Sequence, residues 1–263
     1  MNVIALGPVE IGISAALVLV LAALSMHLRL AIHRQLLIAT LRSGVQLLLL
    51  GLILNTVFAS TNVWMIGGIT LVMLMVAGYE VNARQQKKLT GMASYSIGTI
   101  SMFVSSFSVA LLTVTVIIDV DPWYTPQYLI PLLGMLLGNT MNGVSISLDR
   151  LTQTAWQQKN VIEGRLMQGE SWSIAIGDIR RDSLRAGLIP IVNAMMTAGI
   201  VSLPGMMTGQ ILAGSPPLEA AKYQILILFL IAAGTGLGAM VAMWLASGRL
   251  FDKRERLRLD RLS

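Results

Sequence analysis

The sequence predicts an all-α, polytopic integral membrane protein of about seven transmembrane helices, with the amino terminus outside and the carboxyl terminus in the cytoplasm. Three observations carry this. Seven long apolar segments, at residues 11–28, 35–58, 63–79, 97–118, 127–148, 186–203 and 224–248, each approach the ~17–25 residues that cross a bilayer. Charged residues make up 12% of the chain, against about 25% in soluble domains, so no separate water-soluble domain is hidden and residues 1–263 form one transmembrane domain. Of the 19 Lys and Arg, 17 lie in four regions on one side only: 29–34, 84–88, 150–185 and the tail from Arg249. Cytoplasmic loops collect Lys and Arg, which sets the orientation.

Taken in order, the first segment follows Glu10 and lacks a basic stretch and a small-residue cleavage site, so it is a retained span and not a signal peptide. The second leaves a basic loop and the third enters another, while the fourth ends at Asp119 and Asp121, an acidic pair on the outer side. The fifth leads into residues 149–185, which carry six cations and five anions with apolar residues at helical spacing, as in Val161, Ile162, Leu166 and Met167. One or two amphipathic helices on the cytoplasmic face are expected there, either resting on the membrane or docking a soluble partner. Residues 203–217, after the sixth segment, contain Pro and Gly yet stay uncharged; they fit a re-entrant or broken helix at membrane depth, or an outer loop. The seventh segment leads into the basic tail, and the cations beside the spans would meet anionic lipid head groups rather than nucleic acid.

Polar residues inside spans are the candidate pathway. Arg42 lies in the second segment with Gln46 one turn on; it either snorkels to the interface or faces the bundle interior with a functional role. Asn139 and Asn142 share one side of the fifth segment, and with Asn193 in the sixth they could converge, either as interhelical hydrogen bonds or as a hydrated path. Gly134 with Gly138, and Gly234 with Gly238, offer small-residue faces for close helix contact. Met206, Met207, Thr208 and Gln210 in the broken stretch complete the candidate set. Methionine thioethers suit a soft metal such as Cu(I) but equally fill apolar cores. No metal-ligand set is identifiable. His27 and His33 are wrongly spaced for one helical face.

There is no cysteine, which excludes disulfides and thiolate chemistry. No catalytic triad and no GxxxxGK[ST] phosphate loop occurs. The chain is therefore not an enzyme by itself, binds no cofactor, and any ATP must be used by another polypeptide.

The run Leu203-Pro204-Gly205-Met206-Met207-Thr208-Gly209-Gln210-Ile211-Leu212-Ala213-Gly214, with Pro217 and Lys222-Tyr223-Gln224-Ile225, resembles the signature of the FetB-type permeases of iron-export ABC transporters. Arg42-Ser43-Gly44-Val45-Gln46-Leu47, and Gly134-Met135 with Gly138-Asn139 and Met141-Asn142-Gly143, look like segments of the same family, so the similarity spans nearly the whole chain. Plant membrane proteins implicated in aluminium tolerance are similar too. The resemblance implies a permease subunit of a bacterial inner membrane, paired with a second copy and two separate ATPase subunits, exporting iron from the cytoplasm. It also makes residues 149–185 a diverged coupling loop. Glu163 and Gly169 keep that loop's spacing while Gly164 and Arg165 replace its alanines, and Glu170, Asp178 and Arg181 stand beside them as further coupling candidates. A receptor-like or scaffolding seven-span protein, or a permease for another metal or an organic solute, is the alternative.

Overall fold

The computed structural model describes residues 7–59 and 62–262. Among them the chain is helical, with isolated bridges in place of strands. It divides into two compact units, Met1–Thr61 with Leu212–Gly214, and Asn62–Ile211 with Ser215–Ser263.

The first unit is a helical hairpin of α1 (Pro8–His27) packed on α2 (His33–Phe58). Pro8 sits in the first turn of α1, where its missing N–H costs no bond, and Glu10 there suits the positive helix end. Arg29 and Ala31 take positive φ to reverse the chain, with the Leu30 N–H on the Ser25 carbonyl. Most side chains of both helices are exposed, as expected of apolar helices whose solvent is lipid.

The second unit is built on α6 (Pro126–Gln157), which packs on α3 (Val63–Ala83), α4 (Ala93–Met102), α9 (Gly177–Thr197) and α11 (Pro217–Arg249). α4 continues through a π-turn at Phe103–Phe107, α5 (Ser108–Leu112) and a second π-turn at Thr113–Ile117 as one apolar helix. Hydroxyls line it: Ser101, Ser105 and Thr113 each donate to the carbonyl four residues back. The helices meet at small residues. A Cβ placed on Gly187 of α9 would collide with the Ser147 hydroxyl and lie 2.5 Å from the Gly143 carbonyl oxygen of α6, whereas one on Gly138 meets nothing within 4 Å. The tight α6 contact is thus at Gly143, not at the Gly134 and Gly138 face. Gly238 of α11 does make a close contact, against Thr140 and Ser105.

Among the described residues six helices are long and apolar enough to cross a membrane: Pro8–His27, His33–Phe58, Val63–Ala83, Ala93–Ile117, Pro126–Gln157 and Pro217–Arg249. The segment expected at 186–203 differs. Its helix, α9, starts earlier in the charged stretch and stops at Thr197, where Ala198 turns extended and Gly199 takes φ of 82°. Its apolar part is therefore only about 12 residues, ~18 Å long. Residues 203–217 hold a short helix, α10 (Gly205–Leu212), followed by a turn at Ala213 and Gly214.

The expected 37-residue loop is also shorter than its charge suggests. Leu148, Leu151 and Ala155 keep the buried face of α6 going to Gln157, so only α7 (Lys159–Met167) and α8 (Trp172–Ala175) lie between α6 and α9. At this end α3, α6 and α11 finish, and α4 and α9 begin. The loop after α3 is tied to α6 by the Gln86 N–H on Asp149 (2.8 Å), the Thr152 hydroxyl on the Lys87 carbonyl (2.6 Å) and Lys87 3.9 Å above the Trp156 ring. The tail folds back onto it: Thr90 N–H donates to the Arg261 carbonyl, and Arg261 caps the Arg249 and Phe251 carbonyls. Leu89, Ile162, Ile176, Leu250, Phe251 and Leu262 continue the bundle core into this cap. The basic tail is thus a folded hook and not only a set of lipid-facing charges.

Candidate functional site

Two polar features stand out in the second unit, both at the basic end or leading to it. The first is a crevice of about 290 Å³ between α3, α6 and α9, lined by Arg84, Asn142, Ser145, Ile146, Asp149 and Pro190. α3 runs one turn beyond the expected span, which carries Arg84 to its end and brings Glu80 within 3.8 Å of it. The Arg84 guanidinium donates to the Asn142 side-chain oxygen at 2.6 Å. Asp149 accepts from the Gln86 N–H and from the Gln153 amide at 2.6 Å. A cation, a carboxamide and a carboxylate thus line one opening.

Asn139 and Asn142 are both exposed on α6, as is Asn193 on α9. They do not hydrogen-bond to one another: Asn139 donates to the Met135 carbonyl of its own helix and Asn142 accepts from Arg84. Arg42 and Gln46 lie on α2, in the other unit. Met206, Met207, Thr208 and Gln210 lie on α10, half-buried, with the Thr208 hydroxyl on the Pro204 carbonyl. Among the described residues no three His, Asp or Glu side chains gather in a metal-binding group. Arg84 is absent from the sequence-based candidates, where it counts only as an orienting charge; the signal for it is the four-residue spacing from Glu80, which one more turn of α3 makes a helical pair.

The second feature is the platform of α7, α8, the start of α9 and the hook. α7 ends in a glycine turn: Gly169 has φ of 89°, its N–H bonds the Leu166 carbonyl, and the Glu170 N–H bonds the Arg165 carbonyl. This pairing satisfies the last carbonyls of a helix and requires a left-handed residue where Gly169 stands. Glu163 pairs with Lys159 at 3.7 Å. Arg165 of α7 reaches Asp178 of α9 at 2.9 Å, and Arg181 also binds Asp178. These two arginines, Arg181 foremost, hold the Asp178 carboxyl below its ordinary range. A groove of about 680 Å³ separates α7 from the hook, with Glu163, Met167 and Glu170 on one wall and Arg254, Leu257 and Arg258 on the other. One oxygen of Glu170 is buried there without a hydrogen-bond partner. The hook wall was missed in the sequence, although Leu250, Phe251, Leu257 and Leu262 are apolar residues in a basic stretch.

Asp252 organises the hook. It accepts from the Arg256 N–H, the Arg256 guanidinium and the Arg254 N–H, and the Arg256 backbone bond leads in holding its pKa down to about 2. A depressed carboxylate stabilises the fold above its unfolded value near 3.8 and loses that contribution as pH falls towards 2. Asp252→Asn is expected to loosen the hook at neutral pH, read as faster tryptic cleavage after Arg254 and Arg256; cleavage at the wild-type rate would show that Asp252 does not hold it.

The chain matches the family described as "Uncharacterised protein family (UPF0014)" over residues 8–251. It is 39% identical over 226 residues to a UPF0014 membrane protein of Synechocystis, covering 85% of each chain. It is 30% identical to the probable iron export permease protein FetB of Escherichia coli, covering 96% of this chain and 95% of that one. It is 31% identical to the protein ALUMINUM SENSITIVE 3 of Arabidopsis thaliana, covering 93% and 88%. No solved structure matches. The FetB-type resemblance carried by the motifs therefore extends along almost the full length, and the chain is a multi-pass membrane protein belonging to the UPF0014 family.

Proposed function

We propose that this chain is the permease subunit of an ABC exporter, working as two copies above two ATPase subunits, with iron as its cargo. The observation that carries the reading is the exposure of three carboxamides on the transmembrane helices, Asn139 and Asn142 on α6 and Asn193 on α9, of which Asn142 lines the Arg84 crevice; we read them as one polar strip. Carboxamides on the outside of a transmembrane bundle are costly against lipid, and polar groups at that depth face protein or a water-filled cavity. A second copy set against this strip supplies both. The iron assignment rests on the relative named as an iron export permease.

The orientation reading puts the folded basic end in the cytoplasm. With α6 and α11 both finishing there and α9 beginning there, α9 with residues 198–204 is read as the seventh crossing, in a topology of N-out and C-in. Movement of α9 relative to α6 and α11 is then the natural output of a docked ATPase. Glu163, Gly169, Glu170, Asp178 and Arg181 belong to one platform, since the Arg165 to Asp178 bridge links α7 to α9. An ATPase element seated on α7 and in the groove would pull directly on a pathway helix. A receptor or scaffold would need neither the strip nor this linkage.

The test is co-purification with an ATPase carrying the phosphate-loop motif. Gly169→Trp is expected to leave the protein inserted but to uncouple it, because an L-residue held in the left-handed conformation costs about 1–2 kcal/mol and would distort the end of α7. Unchanged ATPase binding and transport in this variant would remove the α7 turn as the contact, and absence of any ATPase partner would remove the ABC reading.

A further inference from the structure

Far from the basic end, the second unit holds a crevice of about 360 Å³ with no charged residue in its lining. Its floor is Ile66, Leu129 and Leu133, all buried; its rim is Gly67, Phe103 and Trp123, all exposed. Two local features open it. Gly67 on α3 leaves a gap, since a Cβ there would meet nothing within 4 Å. Opposite, the π-turn at Phe103–Phe107 inserts an extra residue into the helical turn and carries two rings, 5.1 Å apart, at its two ends.

We propose that this crevice binds an acyl chain of a bilayer phospholipid. The lining is mainly apolar: apart from the polar tips of Trp123 and Tyr124 it holds two hydroxyls, Ser108 and Thr70, and that of Thr70 is already donated to the Gly67 carbonyl at 3.0 Å. Apolar cavities stay dry and take apolar guests. Trp123 stands edge-on to Tyr124, with ring centres 5.7 Å apart, in the short turn that follows Asp119 and Asp121. Trp and Tyr in such turns mark the head-group level of a membrane. The crevice therefore runs inward from that level between two apolar helices, the path of an acyl tail whose head group stays at the surface. No charge pattern complementary to a protein surface lines it, which disfavours a second copy as occupant. The site is independent of the cargo and of the ATPase.

The experiment places the full chain in phosphatidylethanolamine and phosphatidylglycerol vesicles containing a trace of phospholipid with a photo-activatable acyl chain, and maps the labelled peptides. Labelling is expected to concentrate on residues 63–70, 103–111 and 123–133 at several times the level on the exposed face of α2 around Leu48. Gly67→Leu, which fills the gap, is expected to cut that labelling at least severalfold while labelling of α2 stays unchanged. Uniform labelling of the wild-type protein over all apolar helices would overturn the proposal without reference to any variant. So would undiminished crevice labelling in a folded Gly67→Leu protein, or cross-links from the crevice to a second chain in place of lipid.

Discussion

Replacing Gly187 with Ala is expected to lower the thermal stability of the protein in detergent substantially, and Gly187→Leu to abolish recovery of folded protein. The cause is the α6 to α9 crossing. A Cβ at Gly187 collides with the Ser147 hydroxyl, which can rotate away, and sits 2.5 Å from the Gly143 carbonyl oxygen, which cannot. Overpacking of this kind costs about 1–3 kcal/mol, sometimes more, and here the helices themselves must separate. Gly138→Ala is the control. Open space surrounds that position, and removing a glycine from a helix interior is worth about 0.5–1 kcal/mol to a helix. Thermal denaturation of purified variants checks both. Equal stability of Gly187→Ala and wild type would show that α9 is not packed on α6 as described.

The same contrast shows what the sequence can and cannot reveal. A run of 17–25 apolar residues is its own signal, so the helices at 8–27, 33–58, 63–83, 93–117, 126–157 and 217–249 were legible to within a few turns. Their ends were not. Leu151 and Ala155 continue a buried helical face under charged neighbours, so α6 leaves the apolar stretch without ending. α9 does the reverse, starting among charges and stopping early at the Ala198 and Gly199 turn. The spacing of Gly134 and Gly138 suggested a close contact that Gly143 and Gly187 make instead, because spacing along one helix says nothing about which face its neighbour meets.

For the candidate site, local chemistry was legible and distant pairing was not. Gly169 follows a short helix, and a left-handed turn there depends only on adjacent residues. Arg84 and Asn142 are 58 residues apart. No pattern in one sequence joins them, and the two readings open for Asn142, a hydrogen bond between helices or a hydrated path, named no partner on α3. The hook was hidden by its own charge: Arg254, Arg256 and Arg258 read as a basic tail, while Leu257 and Leu262, which fold it, are isolated apolar residues.

Alanine at Asn142, at Asn139 or at Asn193 is expected to reduce export per folded molecule, with Arg84→Ala reproducing the Asn142 defect and the double variant adding little to it. The strip and the crevice form one opening in this reading, and Arg84 holds the Asn142 amide at its mouth through a 2.6 Å bond. A hydrogen bond between membrane helices contributes about 0.6–2 kcal/mol, equivalent to roughly three- to thirtyfold in an equilibrium. A purely structural bond would therefore lower the amount of folded protein by such a factor and leave transport per molecule unchanged. A pathway role does the opposite, so the ratio of cellular retention to folded protein separates the two. Cells lacking the chain are expected to retain more iron under iron excess, and the Asn142 and Arg84 variants to fall between those cells and wild type. Normal iron alongside altered retention of another solute would reassign the cargo and keep the permease. Equal losses of transport and of folded protein at all four positions would make the strip a packing surface, and the path would have to be sought elsewhere in the bundle.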